Sequence, residues 1–162
     1  MTLTPSPWLR RTFAAPNALY RHGLGRVLGR RFLQLTHVGR RTGAPHTVVL
    51  EVVRYDPATG EAVVVSGFGE DAQWLRNLRA NKDARISFGR APRRATVRFL
   101  GADEAFDAMT GYERRYGILR PALRRTLTLF AGFEYRGTDE DRRRLVGRLP
   151  LVAFRPAPPD PA

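Results

Sequence analysis

The sequence predicts an α+β fold with a mostly antiparallel sheet. Three observations carry that expectation: short β-branched runs bounded by turn residues, helical periodicity inserted among those runs without strict alternation, and a length of 162 residues, that of one domain. From the start of the chain, prolines at positions 5, 7 and 16 around Trp8 and Phe13 predict an irregular arm over residues 1–16. Asn17 reads as an N-cap. Behind it, Ala18 to Gly29 sets Leu19, Leu24, Val27 and Leu28 on one side, a short amphipathic helix weakened by Gly23 and Gly25. Strands are predicted at Phe32 to Val38, His46 to Tyr55 and Ala62 to Ser66, the last two joined as a hairpin by the loop Asp56-Pro57-Ala58-Thr59-Gly60. Trp74, Leu75 and Leu78 give Glu70 to Asn81 a helical period, with Asn81 expected to end it in the left-handed conformation.

Two further strands, Arg85 to Phe88 and Ala95 to Leu100, flank a turn over Gly89 to Pro92. Helical pattern returns from Asp103 through Phe106, Met109, Tyr112 and Tyr116, then over Ile118 to Phe130 and Asp139 to Gly147. Leu151 to Phe154 is a last strand. Residues 17–155 are thus expected to form a single domain, followed by a proline-rich tail over 156–162 expected to fray.

Composition narrows the chemistry. There is no cysteine, which excludes disulfides, thiolate metal sites and cysteine nucleophiles, so redox work would need a cofactor. No His–carboxylate spacing suggests a metal site, so no metal is expected. No apolar run approaches the ~20 residues of a membrane span, and a cytoplasmic protein is expected. The net charge of +13 invites a nucleic-acid reading. Against it, 27 of the 28 basic residues are arginine, scattered over every element, and no nucleic-acid-binding motif is recognisable. Their distribution is more telling: residues 1–50 hold eight arginines and no acid, whereas residues 101–162 hold eleven arginines and nine acids. An anion-seeking face belongs to the first third.

Two segments stand out. Between two strands lies Thr36-His37-Val38-Gly39-Arg40-Arg41-Thr42-Gly43-Ala44-Pro45-His46, a basic turn bounded by glycines. Gly39 and Gly43 let the backbone bend so that amides converge, and Arg40 and Arg41 add forked donors suited to phosphate or carboxylate. Alone, it reads equally as an anion cradle or as a solvated hairpin loop. The second is Ser66-Gly67-Phe68-Gly69 at the end of a valine run. Small residues at a strand end let a flat ligand approach the backbone, although a plain strand-to-helix loop accounts for them as well. Trp74 and Asn77, taken singly, are packing and capping residues.

In this order and at this spacing, L-T-H-V-G-R-R-T-G-x-P-H from Leu35 to His46, V-V-V-S-G-F-G from Val63 to Gly69 and W-L-R-N-L-R-A-N from Trp74 to Asn81 resemble the nitroreductase-type deazaflavin-dependent oxidoreductases. The resemblance implies a split β-barrel fold of the FMN-binding kind and the coenzyme F420, with FMN, haem or a lipid as alternatives that similar barrels carry. It implies that Gly39, Arg40, Arg41, Thr42, Gly43 and His46 meet the phosphate and anionic linker. Ser66, Gly67, Phe68 and Gly69 would lie against the ring, and Trp74 and Asn77 are counted with them as cofactor-binding residues. His46 stands where members often have arginine or lysine. The implied reaction is hydride transfer to a small electrophile: a quinone, a nitro compound or an activated enone. Tyr112, Tyr116 and Tyr135 are candidates for a proton donor or a substrate pocket, each with a core role as its rival. His37 is a candidate to face the cofactor. A homodimer and a peripheral membrane contact through the N-terminal helix complete the expectations.

Overall fold

The computed structural model describes residues 29–158, so the predicted arm, nearly all of the predicted helix Ala18 to Gly29 and the end of the tail lie outside it. Its strands are β1 (Phe32–Val38), β2 (Pro45–Tyr55), β3 (Ala62–Val65), β4 (Ala84–Ser87), β5 (Arg93–Phe99) and β6 (Leu151–Pro156). Its helices are α1 (Gln73–Ala80), α2 (Ala102–Tyr116), α3 (Arg120–Ala131) and α4 (Asp139–Arg148). Every strand pair is antiparallel, and the sheet closes as a barrel in the order β1-β2-β3-β6-β5-β4. Closure removes the exposed edges that an open sheet would present.

Side-chain alternation divides the apolar residues between two cores. Inside the barrel Leu33, Leu35, Val52, Val64, Ile86, Val152 and Phe154 meet Trp74, Leu75 and Leu78 of α1. Outside it Val53, Val63, Leu151 and Ala153 are covered by Met109 and Tyr112 of α2, Leu123 and Leu127 of α3 and Leu145 of α4. Strands β3 and β6 are therefore buried on both faces, which is why they read as unbroken apolar runs. A bulge between Val52 and Arg54 adjusts the β2–β3 register.

Within the described residues the predicted strands and the predicted helices from Glu70 onward are present, with informative differences at their ends. Glu70 and Asp71 belong to a 3-10 turn (Gly69–Asp71), and α1 starts only at Gln73. Asn81 is extended, with φ −149° and ψ 115°, and is not left-handed. Its side chain accepts a hydrogen bond from the Asp83 amide at 2.9 Å, so the chain runs on into β4 without reversing. A 3-10 turn (Gly117–Leu119) opens the segment that becomes α3. Strand β6 continues through Pro156, and the Ala157 amide donates to Arg94 O at 2.8 Å, so packing holds the chain beyond Phe154. Helix α4 starts on a capping box in which Thr138 and Asp141 satisfy each other's backbone amides.

Surplus arginine is used in packing as well as in ion pairs. Arg142 and Arg143 lie over the Phe106 ring at 5.2 and 4.8 Å, and Arg144 lies over Phe133 at 4.3 Å. At the junction of sheet and α2, Glu104 takes Arg54 Nη2 at 2.6 Å and Arg98 Nη1 at 2.5 Å, while Glu61 takes Arg98 at 3.0 Å and Arg155 at 3.2 Å. Glu104 thereby ties α2 to strands β2 and β5, and Glu61, just before β3, links β5 to β6.

The hydrogen bonds from Arg98, and after them that from Arg54, pull the Glu104 carboxyl from 4.5 down to about 2. A folded-state value below the unfolded one contributes stability that is full above the unfolded value and lost as pH falls toward the folded one. Denaturant unfolding measured from pH 5 to pH 2 is expected to show this loss, and Glu104→Gln is expected to flatten it. Wild type and variant with parallel profiles would contradict the assignment.

Candidate functional site

The basic turn is a closed loop before any ligand is considered. Gly39 donates to Ala44 O and Gly43 to Gly39 O, both at 2.8 Å, and Thr42 Oγ1 accepts from the Ala44 amide at 3.3 Å. A side chain at Gly39 would have to displace the His46 imidazole, because a Cβ there would lie 2.7 Å from His46 Nε2. The His46 imidazole thus folds back over the start of the turn and stacks on His37, ring centroids 5.8 Å apart.

Asn77 fastens this loop to α1. Its side chain is 5% exposed; Oδ1 accepts both from the Arg40 amide at 3.2 Å and from Arg40 Nη1 at 2.9 Å, while Nδ2 lies 3.2 Å from His37 Nδ1. Gln73, one helical turn earlier on the same face, accepts from Arg40 Nη1 at 3.0 Å. Arg40 is therefore a fastener, its donors already directed at two amide oxygens. Arg41 is exposed, and among the described residues neither its guanidinium nor the amides of Arg41 and Thr42 have a partner. The two arginines that sequence treats alike have different roles.

The second segment closes in a similar way. Ser66 is 0% exposed, its amide donates to Pro150 O at 2.8 Å, and its hydroxyl donates to Gly69 O at 2.7 Å. The hydroxyl thus shapes the loop, and the Ser66 amide is already engaged. Gly69 has φ +60°, which a side chain would strain, and a Cβ there would also press on Arg148 O at 3.0 Å. Gly67 keeps a free amide among the described residues and is covered on one side by Phe130 of α3, against which Phe68 packs edge-on at 5.9 Å. Trp74, expected among the cofactor-binding residues, is 7% exposed and packs in the inner core with Leu33 and Leu35.

The three tyrosines separate. Tyr135 donates to Glu113, which is also held by Arg142 Nε at 2.9 Å in a buried cluster, and burial followed by this carboxylate raises the Tyr135 hydroxyl well above 10.0. That cluster binds α2 to α4, so the structure gives Tyr135 a packing role. Tyr112 and Tyr116 instead form a chain: their hydroxyls are 3.0 Å apart, and Tyr116 donates to Glu51 Oε1 at 2.8 Å. Arg31 donates to the Tyr116 hydroxyl at 3.1 Å. Burial first of all raises both hydroxyls, which therefore stay protonated across the physiological range. Glu51 precedes Val52, which pairs with Val64 on β3, so this chain reaches the part of the sheet that runs into Ser66. Sequence reasoning passed over Gln73 and Glu51. Gln73 had a signal, its i to i+4 spacing from Asn77; Glu51 had only its position as the sole acid in a valine-rich strand.

Among solved structures the fold is similar to an F420-H2 dependent reductase, FDR-A, at a TM-score of 0.51 and 19% identity over 77% of this chain and 94% of that one. A chain solved as a domain-swapped dimer gives 0.52 at 19% identity, over 93% and 99%. A Listeria innocua protein assigned as a pyridoxamine 5'-phosphate oxidase gives 0.50 at 12% identity, over 86% and 94%. Comparison with curated proteins gives no match. The class of protein is thus a six-stranded split β-barrel of the FMN-binding kind with flanking helices. A family model described as F420H(2)-dependent quinone reductase matches residues 10–115, and the chain belongs to that family. It is an F420-dependent oxidoreductase.

Burial first, and then the neighbouring His46, hold the His37 imidazole below the ordinary histidine value of 6.5. The unfolded chain then takes up this proton at a higher pH than the folded one, so the contribution to stability is full above about pH 6.5 and is lost as pH falls through the lowered value. An NMR titration should find His37 titrating below 6.5, and His46→Asn should raise it only part of the way, because burial remains. Titration of His37 at 6.5 or above would contradict this geometry.

Proposed function

We propose that the turn from Gly39 to Gly43 holds the phosphate of F420, that the segment from Ser66 to Gly69 lies along its ring, and that the hydride acceptor is a quinone. One observation carries this reading: α1 joins the two segments, since Gly69 leads into it while Gln73 and Asn77 on its first turns hold Arg40. The residues present fit the group. Among the described residues the amides of Arg41 and Thr42 and the Arg41 guanidinium have no partner and form a donor set for a phosphate, and the Gly67 amide has none and can meet a ring carbonyl.

When bound and reduced, the coenzyme supplies the hydride. The chain's own residues do the rest. Arg40, held by Asn77, fixes the turn, and Arg41 with its neighbouring amides takes the anion. Phe130 and Phe68 keep water from one side of Gly67. Reduction of a quinone needs a proton beside the hydride, and Tyr116 and Tyr112 hold one in line with Glu51, through which it is replaced from solvent. The family description supports a quinone; nitro compounds and activated enones accept hydride by the same chemistry and form the comparison set.

Titration with F420, followed by quenching of tryptophan fluorescence, is expected to saturate. Arg41→Ala should weaken binding by about tenfold or more, the scale of one lost hydrogen bond to a charged group. Tighter binding of FMN, or unchanged affinity in Arg41→Ala, would overturn the proposal. In single-turnover reduction of a quinone, Tyr116→Phe should slow the reaction by at least about tenfold while leaving the coenzyme Kd unchanged.

A further inference from the structure

Arg31 stands at the exposed end of the tyrosine chain. Its backbone is fixed, because the Arg31 carbonyl accepts from the Val52 amide at 2.8 Å, one residue beyond Glu51. Its guanidinium is held at two points: Nη2 donates to the Tyr116 hydroxyl at 3.1 Å, and Nε lies 3.6 Å from Glu51 Oε1. The same group lies 5.8 Å from the centroid of the Tyr116 ring. Three elements therefore meet at the Tyr116 oxygen, which has Arg31 from the approach to β1, Tyr112 from α2 and Glu51 from β2.

Beyond burial, which is the largest influence, these partners act on the Tyr116 proton in opposite senses. The Glu51 carboxylate, which accepts that proton at 2.8 Å, opposes the negative charge that its loss leaves. The Tyr112 hydroxyl and the Arg31 guanidinium favour that charge, as donors to the same oxygen. Arg115, next to Tyr116 on α2, is engaged elsewhere: it bonds Val53 O and lies 5.7 Å from the centroid of the Tyr112 ring. Among the described residues Arg31 is the one cation bonded to the Tyr116 oxygen.

From this geometry we infer that Arg31 is a positioning residue for the reaction, one that holds Tyr116 in place and neutralises the phenolate left when its proton is delivered. The inference rests on the proposed role of Tyr116 as the proton donor. In that step the Tyr116 O–H bond breaks, and the bonding pair stays on the phenol oxygen. The proton passes to the oxygen of the quinone, which is reduced by the hydride that the reduced coenzyme gives up as it is oxidised. The new anion finds a guanidinium already within hydrogen-bond distance, and a donor placed in advance lowers the barrier because little has to reorganise around the charge. Tyr116 then regains a proton from solvent by way of Glu51. The Arg31 side chain is 63% exposed, so salt screens this help and the effect is largest at low ionic strength.

The test compares Arg31→Gln, Arg31→Lys and Arg85→Gln, the last an equal loss of charge on β4, at low ionic strength. In single-turnover reduction of a quinone at saturating F420, Arg31→Gln is expected to slow the reaction by about tenfold, with the coenzyme Kd unchanged. Arg31→Lys should recover part of the loss, and Arg85→Gln should match wild type. In a Tyr116→Phe background Arg31→Gln should slow the reaction no further, as befits a residue that acts through Tyr116. A second readout needs no coenzyme. In protein carrying fluorotyrosine, fluorine NMR should show the Tyr116 hydroxyl titrating at a higher pH in Arg31→Gln than in wild type, with Arg85→Gln unmoved. An undiminished rate in Arg31→Gln, an equal loss in the Tyr116→Phe background, or an unmoved Tyr116 titration would sink the inference while Tyr116 remained the donor. A wild-type rate in Tyr116→Phe itself would instead remove the donor role, and the role of Arg31 in the reaction with it.

Discussion

The Asn77 side chain is the contact on which the rest of the site depends. Its oxygen takes two donors from Arg40 and its amide nitrogen meets His37, so one buried carboxamide fixes a backbone amide, a guanidinium and an imidazole together. Buried polar groups of this kind are stable only when satisfied, and satisfied they specify a unique arrangement. Without it the basic turn would be a hairpin loop among others. With it, the loop has a fixed position relative to α1, and Arg41 is left exposed, without a partner among the described residues.

The barrel makes this possible by supplying α1 with a rigid seat. Leu75 and Leu78 are fully buried among strands β1, β2, β3 and β6, so the opposite face of the helix, with Gln73 and Asn77, keeps its orientation toward the end of β1. The outer helices have a separate anchorage. Glu104 and Glu113 attach α2 to the sheet and to α4, and they do so with arginines drawn from the large cationic surplus. Part of the surplus that suggests a polyanion partner in the composition is structural.

Much of the fold was legible in the sequence because β-branched runs and turn residues act locally. Strands such as Phe32 to Val38 fall where they were expected, and the loop over Asp56 to Gly60 makes its hairpin. Element ends were less legible, since Asn81 is settled by its hydrogen bond to Asp83 rather than by its own preference for the left-handed region. At the site, sequence found the segments but not the division of labour within them. Nothing in Arg40-Arg41 says which is held by Asn77, and nothing in Ser66-Gly67 says that the hydroxyl turns inward to Gly69. The same holds for Tyr135 and Tyr116, whose difference lies in partners contributed from distant parts of the chain, Glu113 and Glu51. Long-range contacts decide these cases, and periodicity carries no information about them.

The place of β6 in the barrel has a consequence for how the chain is made. It lies between β3 and β5, pairing with Val63 and Val64 on one side and Val97 and Phe99 on the other. Until residues 151–156 have left the ribosome, both of those strands hold unpaired edges, and the two cores share an open seam. Synthesis is slow beside local helix and hairpin formation, so the nascent chain waits with its most apolar strand, Ala62–Val65, half-paired. The last strand among the described residues is the one that closes the barrel, and a chain stalled before it would be a sticky, open sheet rather than a smaller folded protein.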